Sequence, residues 1–297
     1  MLATPPDPLP RTTLIIGAGR LGMALGIALQ RAGWPVTLVA RRDASATRAA
    51  DRGLHVVRSL ETLGEAAFVL LCVPDDAVAS TARALDASPH ALPPDAVVLH
   101  TSGAVPVAAL SVLAARTRGT GSLHPLQTIA REFADDVLSG APAAVTGSPD
   151  AIVAAEQVAL AVGLVPFRLA DDAKPLYHAA CSMAANFTVG LLDAAIRAAA
   201  ASGMDAAAAR QALAALARNA VDQVSRHGAE ASLTGPILRG DAGTVRAHLD
   251  ALHREIPALV PLYIHAARQT LALARRAGLD RDAAEAVDLV LSQPTDA

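Results

Sequence analysis

Along the first 170 residues, short apolar runs alternate with amphipathic stretches. The runs lie at residues 13–16, 36–40, 54–57, 67–73, 96–100, 120–123, 143–146 and 165–169. Short runs rich in Val, Ile and Leu suit strands covered on both faces, and strands alternating with helical segments predict a doubly wound parallel sheet. From about Asp171 the strand signal stops. Alanine-rich amphipathic segments near 172–201, 204–227, 242–255, 257–276 and 280–291 then predict an all-helical second part. The expected organisation is a disordered arm at 1–11, an α/β domain at 12–170 and a helical domain at 171–297. The boundary, Leu169 to Lys174, is short, which suggests closely packed domains with a ligand site between them.

Composition changes this picture little. Hydrophobic residues make up 53% and charged residues 18% of the 297, as in a folded globular chain. A formal net charge of -3 offers no general attraction to nucleic acid or to an anionic membrane. The opening Met1 to Pro10 is proline-rich and lacks the basic and apolar regions of a secretion signal. Ala179 to Ala201 is the most apolar long segment, but Asn186, Asp193 and Arg197 interrupt it, so it reads as a core helix and not a membrane span. Two cysteines, Cys72 and Cys181, provide neither a disulfide framework nor a cysteine metal site, which suits a reducing cytoplasm. His100, His227, His248, His253 and His265 are scattered without metal-ligand spacing, so no metal site is expected.

The sharpest motif is Gly17-Ala18-Gly19-Arg20-Leu21-Gly22, which follows the first apolar run and opens the first helical segment. In that context G-x-G-x-x-G is the dinucleotide fingerprint of a Rossmann fold. The first glycine permits the turn, the second admits a pyrophosphate and the third lets helix pack on strand. Gly17, Gly19, Arg20, Leu21 and Gly22 are therefore expected to hold the cofactor. At the end of the next strand, where a carboxylate would favour NAD, the chain has Arg41-Arg42. Guanidinium groups suit a 2′-phosphate, so NADP(H) is the expected cofactor. Val73-Pro74 would run past it, and Asp75 or Asp76 would cap the following helix. Thr101-Ser102-Gly103 and His124-Pro125 should turn near the nicotinamide end.

Candidates for proton transfer lie in two places. Lys174, His178, Ser182 and Asn186 recur every four residues and form a polar stripe on an otherwise apolar helix. Lys174 or His178 could protonate a carbonyl or imine as hydride arrives. His124 competes for that role, with Ser102 placed to orient its ring. In the turn-rich segment Leu233 to Asp241, Arg239 is the residue best suited to clamp a carboxylate, or it braces the turn with Asp241.

Together Gly17 to Gly22, Val73-Pro74-Asp75, Leu99 to Gly103, Leu123 to Gln127, Lys174 to Ala180 with Asn186, and Leu233 to Asp241 with His248 resemble a known family. It is the Rossmann-like proteins that carry a C-terminal domain of unknown function (DUF2520). The family is similar in architecture to ketopantoate reductase, pyrroline-5-carboxylate reductase, 6-phosphogluconate dehydrogenase and the β-hydroxyacid dehydrogenases. The resemblance implies an NADP-dependent oxidoreductase whose helical domain, 6-phosphogluconate dehydrogenase C-terminal-like, forms a homodimer. It also implies roles for Lys174 and Asn186 in catalysis or substrate binding. Ser102 and His124-Pro125 resemble elements of prephenate dehydrogenase, which implies proton transfer by His124. The expected activity is hydride transfer between the nicotinamide and a small carboxylate-bearing carbonyl, hydroxy-acid or imine substrate. The alternative is a non-catalytic NADP(H)-binding redox sensor or assembly partner.

Overall fold

The computed structural model describes residues 11–60, 66–88 and 92–293. The expected arm, apart from Arg11, lies outside the described residues. All eight apolar runs are strands: β1 (Thr13–Ile16), β2 (Val36–Val39), β3 (His55–Val57), β4 (Phe68–Leu71), β5 (Val97–His100), β6 (Gly119–Pro125), β7 (Pro142–Gly147) and β8 (Val165–Arg168). They form one sheet in the order β3-β2-β1-β4-β5-β6-β7-β8. The order reverses between β1 and β4, and that switch point, beyond the carboxyl ends of the strands, is where such sheets take ligands.

The sheet is mostly rather than wholly parallel, because β7 runs antiparallel to β6. The cause is local: residues 126–141 contain no helix, and without a crossover helix the chain turns back on its own edge.

Alternation along the strands divides the core in two. Ile15, Leu38, Leu70, Leu99, Leu123 and Val145 point to one face and pack with α1 (Arg20–Arg31) and α4 (Pro149–Ala161). Leu14, Ile16, Val69, Leu71 and Val98 point to the other. There they meet α3 (Val78–Asp86) and a 3₁₀ segment, Val107–Leu113, through Val78, Leu85, Leu110 and Leu113. β2 leads to α2 (Asp43–Asp51).

The chain divides into two compact units, Met1–Ala185 and Asn186–Ala297. The first helix after the sheet, α5 (Lys174–Ser182), thus belongs to the same unit as the strands. It ends in a π turn at Met183–Phe187. The second unit holds α6 (Thr188–Ala201), α7 (Ala206–His227), α8 (Ala229–Ser232), α9 (Ala242–Glu255), α10 (Val260–Arg276) and α11 (Arg281–Ser292). Its core gathers Val245, Leu249, Val260, Leu271, Val287 and Leu291 from α9, α10 and α11. Asp205, Asp241 and Asp280 cap α7, α9 and α11 by accepting amide hydrogen bonds, as their position before each helix requires.

One expectation fails here. Ala179 to Ala201 is not a core helix: Ala194 is the buried residue of α6, while Val189 and Leu191 stand exposed. By length and composition alone, the helical stretch Asp171–Ala201 could also cross a membrane. It carries an Asp193–Arg197 ion pair one turn apart at 3.1 Å.

Candidate active site

The glycine turn has the shape a pyrophosphate needs. Gly17 has φ 115°, and a Cβ there would stand 2.2 Å from the Cys72 carbonyl oxygen, so only glycine fits against the end of β4. A Cβ on Gly22 would stand 2.0 Å from the Gly17 oxygen, which keeps α1 close to β1. Gly19 differs: its Cβ would meet nothing within 4 Å. Gly19 is also the N-cap of α1 and has no side chain to cap it, so that residue leaves the first amides of the helix without a side-chain acceptor. Three glycines thus carry three separate constraints, and the open one is where a ligand backbone would approach.

The surrounding residues are held firmly. Arg20, exposed, donates from Nη1 to the Ile129 carbonyl at 3.0 Å. Leu21 is half-buried against the core. Val73 packs beside Gly17 and Pro74 leads into a 3₁₀ turn, Asp75–Ala77. Thr101 is buried, and its hydroxyl donates to the Leu71 carbonyl at 3.3 Å. Burial pushes the Cys72 thiol up to about 12, with the neighbouring Thr101 side chain acting the other way. Arg41 and Arg42 are exposed at the end of β2, where Arg42 also serves as the N-cap residue of α2.

At the carboxyl ends of β5 and β6 the sheet turns polar. His100 pairs in register with Ser122, and His124 lies two residues further on, so all three project from the same face. At its polar end that face also meets side chains of α5, beyond the 3₁₀ segment Val107–Leu113 that covers its apolar part. Lys174, with Pro175 tolerated in the first turn, is 2% exposed and donates from Nζ to Ser122 Oγ at 2.7 Å. One turn on, the Tyr177 hydroxyl sits 2.8 Å from His124 Nδ1. His178 follows, its ring centroid 6.0 Å from that of His124.

Electrostatics separates these groups. Burial lowers Lys174 to about 8, opposed by the Asp171 and Asp75 carboxylates. Burial lowers His124 to about 4, helped by His178 and Lys174 and opposed by Asp75. His100 is lowered to about 3 by burial, with Lys174 and His124 adding. Burial and the neighbouring Cys181 raise Tyr177, so it keeps its proton. At neutral pH the cluster therefore holds a protonated Lys174 beside a neutral His124. An ammonium carries three donors, and the Ser122 oxygen takes one.

Several expectations need correcting. Ser102 does not orient His124: its Oγ accepts the amides of Ala104 at 3.1 Å and Val105 at 3.0 Å and so folds its own turn. Tyr177 holds the ring instead. The turn still shapes the site through Gly103, whose Cβ would stand 2.7 Å from His124 Cε1. Neither Asp75 nor Asp76 makes the predicted cap bond. Asp75 acts through its charge on Lys174 and His124. The polar stripe is also broken, since the π turn widens the helix where Asn186 sits and Asn186 is exposed. In the second unit Arg239 is exposed. Its neighbour Asp241 accepts from the Thr244 amide at 2.9 Å and the Thr244 hydroxyl at 2.6 Å. Among the described residues no group of His, Cys, Asp and Glu could hold a metal ion.

Sequence reasoning gave no role to Tyr177 or Ser122, read Asp75 as a helix cap and read His100 only as one of the scattered histidines. Ser122 and His124 alternate along a strand, which was a usable signal. The partners of Tyr177 and Asp75 lie far away in sequence and gave none.

His100 makes the acid limb of stability testable. Its folded value lies below the ordinary histidine range. As pH falls from 6.5 towards 3 the unfolded chain binds a proton that the native ring refuses, so stability is lost across that window. The loss reaches about 3 kcal/mol by pH 4. Thermal unfolding between pH 4 and 8 is expected to be less acid-sensitive in His100→Gln than in wild type; equal slopes would remove His100 from the account.

The chain's similarities fit this layout. Residues 9–125 match the model of a Rossmann-like domain, and residues 141–270 match a domain of unknown function (DUF2520). Comparison with curated proteins gives no match. Among solved structures, a Bacteroides fragilis protein whose assignment as an NADP oxidoreductase is itself inferred is similar. It shows 21% identity and a TM-score of 0.73, over 88% of this chain and 98% of that one. An Aspergillus terreus imine reductase in complex with NADPH4 and a dibenzazepine shows 18% identity and a TM-score of 0.60, covering 94% and 99%. Plasmodium falciparum pyrroline carboxylate reductase with NADP bound shows 10% identity and a TM-score of 0.57, covering 90% and 98%. Identities this low establish the shared fold.

Proposed function

We propose that this chain, a Rossmann-like domain followed by the domain of unknown function DUF2520, is an NADP(H)-dependent oxidoreductase. Its substrate is a small, carboxylate-bearing carbonyl, hydroxy acid or imine. The observation that carries the reading is the buried Lys174 ammonium on Ser122, beside the His124–Tyr177 pair, at the end of the sheet where the glycine turn opens. Similarity to NADP-bound oxidoreductases supports it.

The cofactor's residues are those named above. Gly19 and the first amides of α1 would face the pyrophosphate, and Arg41 and Arg42 the 2′-phosphate. When bound, NADPH supplies the hydride. The chain's part is the proton. Lys174 holds one at neutral pH and has donors left after Ser122, so it can give that proton to the oxygen or nitrogen on which charge develops. His124, neutral with Tyr177 at Nδ1, is the second candidate for moving the proton, and its lowered value makes it the weaker acceptor at neutral pH. His178 adds to the lowering of His124 that burial causes, and the Thr101 hydroxyl holds the Leu71 carbonyl. Arg239 and Asn186 suit a substrate carboxylate.

The test is NADPH consumption against a panel of small 2-oxo acids and cyclic imines. Turnover that saturates with one of these supports the reading. Tight NADPH binding without turnover across the panel would favour the sensor alternative.

The helical unit is read as a homodimer interface. Leu216, Val221 and Val224 on α7 are exposed together with Val189 and Leu191 on α6, the helix against which α7 packs. Exposed apolar side chains on two neighbouring helices are better covered than left in water, and a second copy would supply the cover. Light scattering is expected to give twice the chain mass, and Val221→Asp to give one; a wild-type monomer would contradict this.

A further inference from the structure

A third arginine reaches the Arg41–Arg42 corner, and it rests on the reading that the first unit holds NADP(H). β2 and β3 are parallel with Val39 opposite Val57, and the Ala40 amide donates to the Val57 carbonyl at 3.0 Å. Arg58 therefore leaves the sheet beside Ala40. Its Nη1 donates to the Ala40 carbonyl at 3.0 Å, which fixes one edge of the guanidinium on the backbone. Its Nη2 is ion-paired with Asp43, the first residue of α2. The Asp43 side chain is 93% exposed.

We propose that Arg58 selects the phosphorylated coenzyme and that Asp43 is a displaceable anion on its binding edge. An ion pair this open to water holds weakly, so exchange is easy. A 2′-phosphate brings more charge and more acceptor oxygens than a carboxylate, and the guanidinium fork suits it. On exchange, the phosphate oxygens accept from Nη2, Asp43 is released to solvent, and Arg41 and Arg42 add positive charge. Without the 2′-phosphate nothing displaces Asp43, and Arg58 contributes nothing. Asp43 thus opposes phosphate binding twice, as competitor and as a like charge.

Calorimetry with adenosine 2′,5′-bisphosphate and with 5′-AMP tests this without turnover, since neither carries nicotinamide. Wild type is expected to prefer the bisphosphate. Arg58→Gln should weaken the bisphosphate about tenfold and leave 5′-AMP unchanged, with Arg58→Lys restoring only part of the preference. Asp43→Asn should tighten the bisphosphate alone. If wild type prefers the bisphosphate and Arg58→Gln keeps that preference, the role of Arg58 is overturned while Arg41 and Arg42 retain theirs. If wild type binds neither compound, the nucleotide-binding reading itself falls.

Discussion

Replacing Lys174 by methionine is expected to cut turnover by about 10²–10⁴-fold, the usual contribution of a positioned proton donor, while leaving NADPH affinity near wild type. The same change should leave the melting temperature unchanged or raise it. Lys174 is a buried ammonium whose hydrogen bond goes to a neutral hydroxyl, and replacing a buried charge by an apolar side chain of similar volume tends to be neutral or stabilising. The two effects run in opposite directions, so a fold defect cannot imitate the result. The pH profile adds a second check. With Lys174 near 8, wild-type reduction should slow as pH rises through that value, and the variant's residual rate should lack the limb. A K174M enzyme within fivefold of wild type would remove Lys174 from the chemistry.

The glycine turn gives a contrast of equal size. Gly17→Ala forces a side chain at φ 115° into the Cys72 carbonyl, so it should cost stability by about 3 kcal/mol and binding together. Gly19→Ala adds a methyl to open space at an extended backbone, φ -74° and ψ -177°. It should fold like wild type and still lose most of its NADPH affinity, because the methyl occupies the ground of the pyrophosphate. Fluorescence titration of NADPH with parallel thermal melts distinguishes the two. A G19A protein that binds as well as wild type would place the cofactor somewhere else.

The sequence pattern made the sheet readable because each strand is a short apolar run bounded by a helical segment, a signal local to a few residues. All eight runs are strands. The reversal of β7 was not readable, since antiparallel pairing there depends on the missing helix between 126 and 141 rather than on β7 itself. The site was legible where one segment carries its own constraint, as at Gly17 to Gly22 and at Lys174. It was illegible where function depends on pairing across the fold. Tyr177 meets His124 across 53 residues, and Arg58 meets Asp43 across 15. The polar stripe from Lys174 to Asn186 misled for another reason: its regular spacing assumes an α-helix throughout, and a π turn changes the phase before Asn186.

The most direct measurement is the structure of the protein with NADP⁺ bound. The account predicts the pyrophosphate over Gly19 and the nicotinamide ring at the ends of β5 and β6. Its C4 would then open onto the space between Lys174 Nζ and His124, leaving room for a substrate atom at about 3–3.5 Å. A nicotinamide bound on the opposite face of the sheet, away from Lys174, would contradict it.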